Sequence, residues 1–408
     1  MASQKARAVL LGGARTPMTE WSGGKNGAGK PGGRLKDVSA NDLGAVAARA
    51  ALERTQVPAS AVQHVVMGNA LQTSGDAIYG ARHVALKAGV PQEVPALTLN
   101  RLCGSGIQSV ITATQLLQLG EADTVLAGGM ENMSQAPHVL RGLRSGLKLG
   151  QGALEDLLMV ALRDSYCGLL MAQTAEKLAQ ERGIPRSEQD AYAFRSMREA
   201  RRALDQGLFA EEIAPVTVRS GRGEEVVRDD DHLFEKPDLE IMSRLPPAFG
   251  PEGMVTAGNA SGIVDGAAAV LVMAPDKARA EGRRPLAEVL DWAVVGVDPS
   301  RMGIGPVPAI RRALERAGLR LEDIDLFEVN EAFAAQYLAV EKELELPRER
   351  VNVNGGAIAI GHPLGATGTR LLLTLALELR RRGKTHGVAS ACIGGGQGIA
   401  LVLRNPEA

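Results

Sequence analysis

Aromatic side chains are scarce. Phe, Trp and Tyr make up 3% of the 408 residues, too few for the stacking platforms that hold single-stranded nucleic acid. Cysteine is scarcer still. Three residues without metal-ligand spacing supply neither a disulfide framework nor a metal site, and they fit a reducing, cytoplasmic setting. No apolar run approaches the roughly 20 residues of a membrane span. The N-terminal MASQKARAVLLGG reads as a first strand rather than a signal peptide. Neither sign of charge is in excess, with 46 Lys+Arg against 47 Asp+Glu, so the footprint of a nucleic-acid or anionic-membrane binder is missing. What the chain does have is glycine, 48 residues in clusters, the mark of backbone that approaches a ligand closely. Its 45% hydrophobic and 23% charged content is that of a globular protein with core enough for two or three lobes.

The chain repeats itself. Residues 51–70 align without a gap on residues 313–332, with five identities that include all of Ala-Leu-Glu-Arg. The same offset of 262 carries Cys103-Gly-Ser-Gly106 onto Gly365-Ala-Thr-Gly368, and the apolar run 125–129 onto 387–391. Each copy has the α/β pattern of helix, strand, Gly-rich loop, helix, strand. The second copy runs straight from its Gly-rich loop into a last strand, whereas the first reaches the equivalent strand only after more than 120 residues. An insertion of 130–248 with helix-period stretches at 169–182 and 187–206 therefore interrupts the first half. The expected organisation is 1–129 with 249–278 as one half, 130–248 as an inserted loop domain, and 279–408 as the other half. Residues 371–379 (LLLTLALEL) are apolar nearly all round, so that helix must be buried on every side. With its repeat mate at 107–119 it forms a middle layer. The expected architecture is α/β/α/β/α, five layers, with two sheets related by a pseudo-twofold axis.

Four positions could carry chemistry. Cys103 follows a strand-like run and precedes a helix, where the helix dipole and free N–H groups favour thiolate; an inert buried cysteine is the ordinary alternative. His362 lies three residues before Gly365, the repeat mate of Cys103, so both side chains approach one side of the molecule. An imidazole in reach of a thiol activates it. Cys392 sits at a strand end before Gly-Gly-Gly, whose N–H groups could cradle an oxyanion; it could be an acid/base or, with Cys103, a redox pair. Asn330, also at a strand end, could hold a water, donate to an oxyanion or simply close a turn.

These frames together resemble the thiolase family. The resemblance rests on Asn100-Arg-Leu-Cys-Gly-Ser-Gly106, Gly128-Gly-Met-Glu-Asn-Met-Ser134, Thr256-Ala-Gly-Asn-Ala-Ser-Gly262, Gly305-Pro-Val-Pro308, Asn330-Glu-Ala-Phe333, Gly361-His-Pro-Leu-Gly365 and Cys392-Ile-Gly-Gly-Gly-Gln-Gly398, in order along most of the chain. It implies the reaction 3-ketoacyl-CoA + CoA ⇌ acyl-CoA + acetyl-CoA through an acyl-cysteine, with CoA thioesters as substrates and no permanently bound cofactor or metal. By the same resemblance Cys103 is acylated, His362 takes protons from Cys103 or CoA, and Cys392 is the acid/base at the acetyl carbon. Asn330 (through a water) and His362 form one oxyanion hole, and the N–H groups of Cys103 and Gly394 form the other. Ser261 contacts pantetheine, Phe333 and Met171 line its tunnel, and Ala260 and Ala332 stand beside them. Leu170 replaces a His that biosynthetic acetoacetyl-CoA thiolases carry, which with Ser134-Gln-Ala-Pro137 looks closer to 3-ketoacyl-CoA thiolases of the mitochondrial matrix type. Phe234 stands where relatives carry an adenine-stacking Arg. The family implies a homodimer or homotetramer. A ketoacyl synthase of the same superfamily is the more distant reading, and Cys392 argues against it.

Overall fold

The computed structural model describes residues 5–21, 33–220 and 223–408. Among them, ten strands form one mixed sheet. In chain order they are β1 (Ala8–Arg15), β2 (Thr19–Glu20), β3 (His64–Gly68), β4 (Ala96–Leu99), β5 (Thr124–Glu131), β6 (Val264–Met273), β7 (Ala287–Gly296), β8 (Leu326–Val329), β9 (His386–Ile393) and β10 (Gln397–Arg404). Their spatial order is β8-β9-β10-β7-β1-β6-β5-β3-β4, with β2 beside β6. The helices that position the site are α1 (Ala40–Thr55), α2 (Gly80–Lys87), α3 (Ser105–Gln118), α4 (Met171–Arg182), α5 (Arg186–Asp205), α6 (Pro306–Ala317), α7 (Ala334–Leu344) and α8 (Leu364–Arg382).

The offset of 262 read from the sequence carries β5 onto β9 end to end and β3 onto β8. Strand β6 (VDGAAAVLVM) is buried at all ten positions, as expected of a strand covered on both faces. Where the sequence leads one to expect two separate sheets, the structure joins them. Ala8, Val9 and Leu10 of β1 pair antiparallel with Val289, Glu288 and Ala287 of β7. The free backbone groups of two half-sheet edges satisfy each other there, which removes two open edges.

Three apolar cores separate five layers. The first packs α1 and α2 on one half-sheet, through Leu43, Ala47, Val84, Met67 and Leu126. The middle core holds α3 and α8 between the half-sheets, through Ile107, Val110, Leu372, Val125 and Ala391. The third packs α6 and α7 on the other half-sheet and continues into α4 and α5, through Ile310, Leu338, Leu178 and Tyr192. Helix α8 is buried without a break from Leu364 to Leu379. Each leucine in that run contributes about 1.5–3 kcal/mol by leaving water. The repeat mates Gly106 and Gly368 let α3 and α8 touch backbone to backbone. A Cβ on Gly106 would lie 2.3 Å from the Thr369 amide nitrogen, and one on Gly368 2.3 Å from that of Ile107.

Between β5 and β6 the chain leaves the sheet. It forms α4, α5 and two small two-stranded sheets, His138–Leu140 with Leu154–Asp156 and Val216–Ser220 with Gly223–Val227. The two helical periods read at 169–182 and 187–206 are α4 and α5 to within two residues at either end.

Candidate active site

The site lies where the N-terminal ends of α3 and α8 meet. β4 stops at Leu99 and α3 starts at Ser105, with the 3-10 turn Leu102–Gly104 between them. Leu102 is held at φ 47°, strained for a residue with a branched side chain. Two side chains hold the bend: Asn100 Oδ1 accepts the Leu102 N–H at 2.8 Å, and Ser105 Oγ accepts the Arg101 N–H at 2.8 Å. Cys103 is thereby set at the head of α3 against Leu71, Met133, Leu158 and Leu364.

The thiolate expected from the helix terminus is not what these surroundings favour. Burial pushes the Cys103 thiol up to about 11, against the N–H groups of Gly394 and of Cys103 itself, which lower it; the charge of Glu131 raises it further. A helix terminus is worth about 2 kcal/mol at most, and desolvation by the apolar wall exceeds that. The same two N–H groups lie beside the Cys103 thiol. Gly394 can present its N–H because the three-residue connection from β9 to β10 passes through Gly395 at φ 80° and Gly396 at φ 82°, backbone that a Cβ would strain.

His362 is 5% exposed. Its Nδ1 is 2.6 Å from Thr367 Oγ1, and Thr367 Oγ1 is 3.1 Å from the Pro363 carbonyl. If the hydroxyl donates to Pro363, it accepts from Nδ1–H. This assigns the proton to Nδ1 and leaves Nε2 as the acceptor facing Asn330 Nδ2 at 3.3 Å. Burial, followed by the charge of Arg370, pulls the imidazole down to about 3. The Cys103 thiol and the His362 imidazole are therefore both uncharged near neutral pH.

Cys392 is fully buried near the end of β9, packed with Met302, Ala332, Met171 and Phe333. Burial pushes its thiol far up, and the neighbouring Cys103 pushes it further. Asn330 extends the β8–β9 pairing by donating its N–H to Ser390 O at 2.9 Å.

The remaining residues singled out in the sequence assemble beside this centre. Ala260 bridges Phe333, and Ser261 N–H donates to Ala332 O at 3.0 Å. The loop carrying Ser261 also reaches the imidazole loop, since the His362 N–H donates to Gly262 O at 3.0 Å. Met171, at the start of α4, comes near the glycine loop; a Cβ on Gly394 would lie 3.3 Å from its sulfur. Phe234 is half-buried against the core cluster that contains Leu233 and Met242, on which Phe333 also packs.

Sequence reasoning passed over three residues of the site. Thr367 fixes the imidazole tautomer. His232 is buried against the loop that holds Ser261; a Cβ on Gly262 would lie 2.5 Å from its ring. Glu131, the last residue of β5, is a fully buried carboxylate within reach of both catalytic loops. The signal for Glu131 was present: a carboxylate closing a strand that is otherwise uncharged and largely apolar.

Two thiols and an imidazole at the junction of two repeated α/β halves define an acyltransferase. Residues 9–276 match the thiolase N-terminal domain and residues 283–405 the thiolase C-terminal domain. The chain belongs to the thiolase family. Human mitochondrial 3-ketoacyl-CoA thiolase is 52% identical over 378 residues, 92% of this chain and 95% of that protein. An acetyl-CoA acetyltransferase of Cupriavidus necator is 48% identical over 384 residues, 94% of this chain and 98% of that protein. The crystal structure of the human mitochondrial enzyme in complex with CoA superposes with a TM-score of 0.92 at 49% identity, covering 98% of both chains. That of the Bacillus anthracis acetyl-CoA acetyltransferase superposes at 0.93 with 41% identity, covering 99% of this chain and all of that one.

Proposed function

We propose that the protein is a 3-ketoacyl-CoA thiolase that cleaves 3-ketoacyl-CoA with CoA, or runs the same step in reverse, through an acyl group on Cys103. The observation that carries the reading is the pair of N–H groups, from Cys103 and Gly394, beside the Cys103 sulfur, with His362 Nε2 left unprotonated and facing Asn330 Nδ2. The Cys103 sulfur attacks the 3-keto carbon as its proton passes to His362 Nε2. With a thiol near 11 and an imidazole near 3, attack and proton transfer are coupled; no free ion pair forms first. The C2–C3 bond then breaks, its electrons form the enolate of acetyl-CoA, and the Cys392 S–H protonates C2. As acetyl-CoA leaves, the imidazolium returns its proton to the Cys392 thiolate; CoA–SH then attacks the acyl-cysteine while giving its proton to the neutral His362, and that proton passes to the departing Cys103 sulfur as acyl-CoA is released. Each N–H donor lost from an oxyanion hole raises the barrier by about 3–4 kcal/mol.

Ser261, Ala260, Ala332, Phe333 and Met171 are our candidates for the pantetheine side, with 130–248 as the lobe over it and Phe234 at the adenine end. A cytoplasmic, reducing setting suits chemistry that needs Cys103 and Cys392 as thiols. The test is kcat/KM for thiolysis across C4 to C16 3-ketoacyl-CoA. Activity on medium and long chains is expected; turnover of acetoacetyl-CoA alone would favour the acetyltransferase reading that the 48%-identical Cupriavidus protein suggests, and no thiolysis at any length would end both.

We also propose that two copies associate along β4. This strand is one of the two ends of the sheet, and Leu97 on it is exposed, as are Ile78 and Tyr79 next to Gly80, which packs on Thr98, the profile of an edge that pairs with another chain. Light scattering should give at least a dimer for the parent and monomer for Leu97→Lys. A monomeric parent would remove the proposal.

A further inference from the structure

Glu131 has no part in the steps above, yet it joins the two loops that carry them. Its side chain is fully buried and each oxygen takes two donors. Oε1 accepts Leu71 N–H at 2.8 Å and Asn69 Nδ2 at 2.9 Å, while Oε2 accepts Ala70 N–H at 3.0 Å and Gly365 N–H at 2.9 Å. The segment 69–71 is tied in turn to the nucleophile loop: Asn69 N–H donates to Leu99 O at 3.0 Å, and Asn100 Nδ2 to Ala70 O at 3.1 Å. Gly365 is the second residue of α8, three residues after His362. One carboxylate therefore spans the pseudo-twofold junction, with the Cys103 loop on one side and the His362 loop on the other.

We propose that Glu131 is a positioning residue, a staple that fixes the separation of thiol and imidazole and adds a negative charge facing Cys103. A purely structural carboxylate would need neither a donor from each half nor a place beside the nucleophile. The titratable groups that face it are Asp265 on β6 and Cys103. Four donors hold the carboxylate, yet burial lifts it to about 7, so it is an anion in the alkaline range where the Cys103 thiol is titrated.

The turnover arm of the test rests on the thiolase reading; the alkylation arm does not. In Glu131→Gln an amide replaces one oxygen, so an NH2 donor confronts N–H donors on that side and the staple opens, while the charge near Cys103 is lost. In Glu131→Asp the charge stays but the reach shortens. Both variants should lose about tenfold or more in thiolysis kcat with KM for CoA little changed. Alkylation of Cys103 by iodoacetamide at about pH 9, where Glu131 is ionised, should quicken about threefold in Glu131→Gln, because the thiolate is no longer opposed by a neighbouring anion, and stay at the parent rate in Glu131→Asp. Parent-like turnover in either variant would overturn the proposal. Faster alkylation in both would mean a loosened site and overturn it as well. Where Glu131→Gln does not fold, Glu131→Asp decides alone: low turnover with parent-like alkylation supports the staple, parent-like turnover removes it. A parent enzyme without thiolysis would end the functional reading and leave alkylation as the measure of the Glu131–Cys103 coupling.

Discussion

Cys103→Ala is expected to lower thiolysis of 3-ketoacyl-CoA by about 10⁴-fold or more and to abolish the acetyl group that the parent enzyme gains from acetyl-CoA alone. No other group can take over. Cys392 is buried and held as a thiol in its own apolar pocket, and Cys167 packs in neither thiol cluster. Retained turnover, or acetylation at another residue by peptide mass mapping, would displace Cys103 as nucleophile. The electrostatics sharpen this into a pH prediction. A thiol raised to about 11 is protonated through the neutral range, and its thiolate fraction grows tenfold with each pH unit below that value. The logarithm of the parent alkylation rate should therefore climb steadily from about pH 6 to about pH 10, past the ~8.5 of an ordinary thiol. A plateau beginning near pH 6–7 would show a resting thiolate–imidazolium pair and contradict the coupled first step.

The repeat makes the architecture legible in the sequence itself. A fixed offset between Cys103-Gly-Ser-Gly106 and Gly365-Ala-Thr-Gly368 located two equivalent helix starts, and an all-round apolar helix at 371–379 could lie only in a middle layer. His362 and Cys392 were legible because unusual glycine frames surround them. The seam between β1 and β7 was not legible, since nothing local to Ala8–Leu10 or Ala287–Val289 says which edge each will meet. The sign of the Cys103 shift was misread for a related reason. A helix terminus is a local feature visible in sequence, but the wall of Leu71, Met133, Leu158 and Leu364 comes from four separate segments. Thr367 and Glu131 lay inside motifs already noticed, yet their roles depend on partners five and 234 residues away.

Cys392→Ser should separate the two halves of the reaction. Acylation of Cys103 from acetyl-CoA needs the thiol, His362 and the N–H groups of Cys103 and Gly394, and none of these depends on the Cys392 sulfur. Exchange of label between acetyl-CoA and free CoA is therefore expected to stay within about tenfold of the parent. Carbon–carbon bond formation and cleavage both require a proton to be moved at the acetyl C2, and general acid–base catalysis there is worth about 10²–10⁴-fold. A serine hydroxyl is a far weaker acid than a thiol, so condensation and thiolysis should each fall by about 10³-fold. The buried pocket of Met302, Ala332, Met171 and Phe333 favours this outcome, because it excludes the water that could otherwise substitute as proton donor. Equal loss of exchange and condensation would mean that Cys392 shapes the site for Cys103 instead of serving the C–C step. Parent-like condensation in the serine variant would hand the proton transfer to His362.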